Sequence, residues 1–139
     1  MKKIICSVIL FCALSYVNAQ NVVSITFQPT DLGYGLRYDH LFEDFGLYAG
    51  VTKGEYRFDD SYIKDHYKVS LGGTIPCQYS YLSAGLSYHR YGERYGDFSK
   101  ALNPVSFDLG CGVILGRINV DFRMDFINGE GCIELGVVL

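Results

Sequence analysis

From residue 20 onward the apolar positions of this chain recur with a period of two, and no window of useful length keeps a helical period. Eight alternating segments follow one another: 22–28, 32–40, 45–57, 66–75, 79–91, 104–115, 118–127 and 131–139. The seventh is the clearest. Ile118, Val120, Phe122, Met124 and Phe126 share one face, and Asn119, Asp121, Arg123 and Asp125 share the other. The sixth sets Val105, Phe107, Leu109, Cys111, Val113 and Leu115 against Ser106, Asp108, Gly110 and Gly112. The fifth sets Leu82, Ala84, Leu86 and Tyr88 against Ser83, Gly85, Ser87 and His89. The fourth and second alternate likewise, with Lys68, Ser70, Gly72 and Thr74, and with Gly33, Gly35, Arg37 and Asp39, on their polar faces. The first, third and last segments follow less strictly.

Such alternation has two readings. In a soluble barrel the apolar face points inward. Phe107, Phe122, Phe126, Tyr34, Tyr38 and Tyr88 would then crowd an interior that eight strands make only just wide enough for side chains. Inverted, the large apolar residues face lipid, and glycine, serine and paired charges fill a narrow interior. The second arrangement fits the side-chain sizes better. The expectation is therefore an all-β chain: an eight-stranded, antiparallel, up-and-down (meander) transmembrane β-barrel.

The connections support it. With the N-terminus on the periplasmic side, the odd connections face outward and should be the longer ones. The two longest, 58–65 and 92–103, are both odd and both charged, whereas Cys77-Gln78 and Gly116-Arg117 are two-residue turns on the other side. Asn128-Gly129 is a strong hairpin signal. A two-residue turn there pairs Ile127 with Glu130 and sets Arg123 opposite Glu134. Leu115 paired with Ile118 sets Gly110 opposite Arg123 and Asp108 opposite Asp125. Adding Arg37 from the second segment, the expected interior is a charge network of Arg37, Asp108, Asp121, Arg123, Asp125 and Glu134. Buried charges require partners, so Arg123→Leu is expected to strand Glu134.

The first nineteen residues stand apart. Lys2 and Lys3 precede an apolar run from Ile4 to Leu14, and Val17 and Ala19 occupy the −3 and −1 positions of a cut before Gln20. This is the pattern of a cleaved secretory signal peptide, residues 1–19, leaving a barrel domain of 20–139. The run is too short to span a bilayer as a helix. Losing Lys2 and Lys3 takes the formal charge of the 139-residue chain from −3 to −5. With 12 Lys+Arg against 15 Asp+Glu there is no basic surplus, so nucleic acid is not an expected partner. Cys77, Cys111 and Cys132 remain, an odd set read as small apolar residues rather than a disulfide framework.

The leader, the eight alternating segments, and stretches such as GLRYDHLFEDFGLYAGV and YLSAGLSYHRYGE resemble the small OmpA/OmpX-like, porin-like outer-membrane β-barrels. The resemblance covers residues 20–139 and is one of pattern. It implies the bacterial outer membrane, contact with its lipid, insertion by the barrel-assembly machinery, and no enzymatic activity. The family commonly ends in an aromatic residue; here Leu139 keeps the hydrophobic end without the ring.

Candidate chemistry is sparse. The register read from the Cys77-Gln78 turn places His66 opposite His89 at the outer rim, with Glu93 just beyond and Ser87 on the same face as His89. The pattern is open to a Ser/His hydrolytic pair, a weak metal site or rim histidines bonded to loop residues, and the last is the expectation, with no catalytic residue, no metal and no cofactor. Asp59, Asp60, Lys64 and Asp65 read as a solvated loop face. The Gly-x-Gly pairs at 33–35 and 110–112 precede no helix, so they do not cradle a dinucleotide. The expected role is structural or surface-interacting, with loops 58–65 and 92–103 meeting an unidentified extracellular partner. The alternatives are a secreted or periplasmic lipocalin-like barrel with an apolar ligand and a lipid A-modifying outer-membrane enzyme.

Overall fold

In the computed structural model, residues 20–29, 32–58, 60–96 and 102–139 are described. The expected signal peptide therefore lies outside the described residues, as do Asp59 and residues 97–101. The strands are β1 (Gln20–Gln28), β2 (Gly33–Leu41), β3 (Gly46–Phe58), β4 (Ser61–Cys77), β5 (Ser80–Arg90), β6 (Arg94–Tyr95), β7 (Val105–Leu115), β8 (Ile118–Asp125) and β9 (Glu130–Val138). No helix occurs among the described residues. Each long strand pairs antiparallel with its neighbours in sequence, and β1 pairs with β9. The result is a closed, eight-stranded, up-and-down antiparallel β-barrel. The two-residue β6 lies outside the wall and, among the described residues, pairs with β4 alone.

The alternation resolves with the apolar face outward. Leu36, Leu71, Leu82, Leu86, Phe122 and Leu135 are each 51–61% exposed, while Ser24, Arg37, Asp108, Asn119, Asp121 and Asp125 are at most 2% exposed. Glycines on the inner face make room for aromatic rings. A Cβ on Gly85 would lie 2.2 Å from the Tyr48 hydroxyl, and one on Gly112 would lie 2.2 Å from Cζ of Tyr81. Tyr48, Tyr56 and Tyr81 are all buried, so not every aromatic is external.

Three sequence expectations need correction. First, the segment 58–65 is not a loop. β4 begins at Ser61, so only residues 59 and 60 join β3 to β4. Pairing of β2 with β3 stops at Tyr34↔Lys53, and pairing of β4 with β5 stops at Tyr67↔Arg90. The β3–β4 hairpin therefore runs on past the wall, with a bulge between Gly54 and Tyr56. β6 joins it through Tyr62↔Tyr95 and Ile63↔Arg94, and the Tyr62 and Tyr95 rings stack at 4.8 Å. Ile63 (0% exposed) and Tyr56 (3%) are the buried face of this extension. The polar sequence concealed the strand because its outer side carries charges, as at Lys53–Asp65, 3.3 Å apart and half exposed.

Second, the β8–β9 turn takes four residues, 126–129, not two. Asp125 pairs with Glu130, so Asp121 faces Glu134 and Arg123 faces Cys132. The Asp125 side chain explains the longer turn: its Oδ1 accepts from the backbone N–H of Ile127 and Asn128, each at 3.0 Å, and Gly129 N–H donates to its carbonyl at 2.9 Å. Third, the β4–β5 turn is Gln78-Tyr79, with Cys77 paired to Ser80, so His89 lies across from Lys68 and not His66. The Ser80 hydroxyl, donating to the Cys77 carbonyl at 3.4 Å, closes that hairpin. Both slips are by two residues, which preserves the faces. The β7–β8 register is as expected, with Gly110 opposite Arg123 and Asp108 opposite Asp125. The three cysteines are free, Cys77 and Cys111 exposed and Cys132 buried.

Candidate functional site

The barrel lumen is where the charged side chains converge, in two groups along its length. The group nearer the chain termini is built around Arg37. Its Nη1 donates to Asp121 Oδ2 and to Glu134 Oε2, each at 2.9 Å, and its Nη2 donates to Asp39. Arg123 Nη2 donates to the other oxygen of Glu134 at 2.7 Å, and Thr26 also donates there at 3.0 Å. Both guanidiniums lie over the Tyr48 ring, with Arg37 Cζ 4.1 Å and Arg123 Cζ 4.6 Å from its centroid. Stacking of this kind favours arginine over lysine, since the planar group keeps its edge free for carboxylates. Nearer the termini, Tyr81 donates to Asn119 at 3.0 Å, and Asn119 donates on to Ser24.

The second group lies toward the end remote from the termini. Lys68 Nζ is 2.8 Å from Asp108, 3.8 Å from Asp125 and 4.0 Å from Glu130. The Ser87 hydroxyl donates to Asp108. His89 Nε2 is 3.0 Å from Asp125 Oδ2 and 2.7 Å from Ser106 Oγ. His89 Nδ1 and His66 Nε2 approach to 3.0 Å, and both face Glu130. Tyr91 stacks on His66 at 4.8 Å, and Tyr56 meets it edge-on at 5.9 Å. Asn128 closes the end, exchanging hydrogen bonds with the backbone of Asn103.

All six expected network residues are buried in the lumen. Arg37, Asp121, Arg123 and Glu134 come together, but Asp108 and Asp125 belong to the other group with Lys68. Arg123 reaches Glu134 despite the altered register because the arginine side chain spans the offset. His66 and His89 do meet, although their backbones are not paired, and they lie inside rather than at an exposed rim. Glu93 does not join them; its carboxylate accepts from Tyr95 at 2.6 Å on the exposed surface, which raises the Tyr95 phenol above its usual range. Ser87 serves Asp108, so the Ser87/His89 pair is not formed. Ser106 takes that place beside His89, but Ser106, His89 and Glu130 are each no more than 2% exposed, which leaves an acyl substrate no path to the hydroxyl.

Sequence reasoning missed Asp39, Lys68, Glu130 and Tyr48. Asp39 and Lys68 already lay on assigned polar faces. Glu130 was hidden by the turn register, and Tyr48 by reading aromatic as external. Between the groups, a void lined by Thr26, Gln28, Thr52, Lys68, Ser70, Arg123 and Glu134 measures about 10 Å³, room for one water at most.

No family model matches the chain, and no curated protein matches it in sequence.

Proposed function

We propose that this chain is a small, non-enzymatic outer-membrane β-barrel with a plugged interior, serving a structural or surface-interaction role. In this reading residues 1–19 are a cleaved export signal, the barrel-assembly machinery inserts residues 20–139, and outer-membrane lipid surrounds the wall. The observation that carries it is the inversion of the barrel: charges inside, and an apolar belt outside to which every long strand contributes. Soluble monomers rarely expose apolar patches beyond a few hundred Å². The belt also has the right height. The eleven residues of β7 run from exposed Val105 to exposed Leu115. At about 3.3 Å per residue and a tilt of about 40° they rise roughly 25 Å, the thickness of the apolar band of such barrels.

The side remote from the termini then faces outward. The contact surface is the projecting β3–β4–β6 extension and the connection 92–103, which replaces the pair of loops read from the sequence. A lipocalin-like carrier is disfavoured because the lumen holds ionised side chains where an apolar ligand would sit. A lipid A enzyme is disfavoured because the Ser/His groups are sealed inside.

Fractionation tests the proposal. The protein is expected in the outer-membrane pellet, with Gln20 at its N-terminus by mass spectrometry and with heat-modifiable migration on gels. A detergent-free soluble monomer would overturn it.

A further inference from the structure

The two interior groups differ in charge balance. Around Arg37 and Arg123 stand three carboxylates, Asp39, Asp121 and Glu134. Around Lys68 stand another three, Asp108, Asp125 and Glu130. All of these side chains are buried. Among the described side chains that meet there, carboxylates are concentrated around the lysine, and a low-dielectric interior penalises buried negative charge heavily. Two extra protons on His66 and His89 do not resolve this. Their facing nitrogens are 3.0 Å apart, so protonating both sets two like charges and two N–H bonds against each other.

The donor geometry fits a cation instead. His66 Nε2, His89 Nδ1 and Glu130 Oε1 are mutually separated by 3.0, 3.6 and 3.9 Å. One point lies about 2 Å from all three, the length of a zinc bond to nitrogen or carboxylate oxygen. The two rings lie within 8° of parallel with centroids 5.2 Å apart, so their facing nitrogens turn from each other toward that point when an ion is held. The supporting contacts already fit this use. Asp125 holds the far nitrogen of His89 at 3.0 Å, fixing the proton on Nε2 and freeing Nδ1, the carboxylate–histidine pairing typical of metal ligands. Gln28 Nε2 donates to the second oxygen of Glu130 at 3.4 Å. The stacked Tyr91 ring orients His66, whose proton then resides on Nδ1. Two imidazoles and one carboxylate suit zinc and neighbouring transition metals rather than magnesium or calcium. We propose that His66, His89 and Glu130 form a divalent transition-metal site, of zinc type, inside the barrel beneath its outer mouth. A divalent ion there offsets carboxylate charge in the second group and ties β4, β5 and β9 across the lumen.

The test uses the folded full-length protein in detergent, stripped with EDTA and checked by heat-modifiable migration. Zinc chloride is then titrated by calorimetry, and bound metal is counted by plasma mass spectrometry after desalting. The expected result is one zinc per chain, with cobalt(II) giving the visible bands of a four-coordinate site. His66→Gln and Glu130→Gln should each lower zinc affinity by roughly a hundredfold or more, while His40→Gln, at the other end of the barrel, leaves it unchanged. Should either ligand variant fail to fold, native stoichiometry and the cobalt spectrum decide. A folded native barrel that takes up no zinc, or one whose cobalt spectrum is that of the hexa-aqua ion, overturns the proposal. So do folded ligand variants that keep native affinity.

Discussion

Arg37 and Arg123 both touch Glu134, yet removing them should have unequal consequences. Arg37 holds Asp39, Asp121 and Glu134, and the first two have no other cation within ion-pair distance among the described residues. In Arg37→Leu these two carboxylates, each about 1% exposed, are stranded without a cation. Breaking a buried pair from one side costs about 3–5 kcal/mol. In Arg123→Leu, by contrast, Glu134 keeps Arg37 at 2.9 Å and Thr26 at 3.0 Å. What is lost there is the charge-assisted hydrogen bond to Glu134, a longer one to Ser70 Oγ at 3.4 Å and one stacking contact on Tyr48, about 1.5–3 kcal/mol in all. The sequence alone pointed to Arg123 as the critical partner; the structure moves that role to Arg37. The assay is urea unfolding in detergent micelles, followed by far-UV circular dichroism, because the chain has no Trp. With a slope of about 2 kcal/mol per molar urea, Arg37→Leu should lower the midpoint by about 2 M and Arg123→Leu by about 1 M. Adding Asp39→Asn and Asp121→Asn to Arg37→Leu should recover part of the loss, since a neutral amide is cheaper to bury than an unpaired carboxylate. An Arg37→Leu midpoint within about 0.5 M of native, or equal losses for the two variants, would refute the reasoning.

Three further outcomes are expected. Gly112→Val should destabilise the folded barrel by about 1–3 kcal/mol, because its Cβ meets the Tyr81 ring, and Tyr81→Leu in the same chain should restore much of the urea midpoint. Phe122→Lys, placing a cation on the outward face, should cost about 2–4 kcal/mol in lipid vesicles and far less at a rim position such as Leu139; equal costs at both sites would count against the lipid-facing belt. Ile63→Ala should cost about 2–4 kcal/mol locally, freeing the β3–β4 extension for cleavage by a protease that leaves the rest of the barrel intact.

The barrel's strand count, its direction of alternation and the contents of its lumen were legible because side chains in a strand obey a strict period of two. A segment such as 118–125 admits only one division into faces, and the sizes on each face decide which one fits inside eight strands. The β3–β4 extension was not legible. Residues 61–66 are polar enough to read as loop, and only their pairing with β3 and β6 and the burial of Ile63 and Tyr56 make them a strand.

The candidate site shows the same boundary. That Arg37, Asp121, Arg123 and Glu134 would share an interior followed from sequence, since parity survives a register slip of two. Which acid each cation holds did not. Lys68 meets Asp108 across the lumen, forty residues away, and His66 meets His89 and Glu130 from three different strands. Such contacts depend on closure of the sheet, on the four-residue turn capped by Asp125, and on how far each flexible side chain reaches. The alternation along the chain therefore determined what the barrel encloses and what it shows to its surroundings. Only closure in three dimensions decided the pairing of the enclosed charges, because barrel geometry brings together residues that no local pattern links.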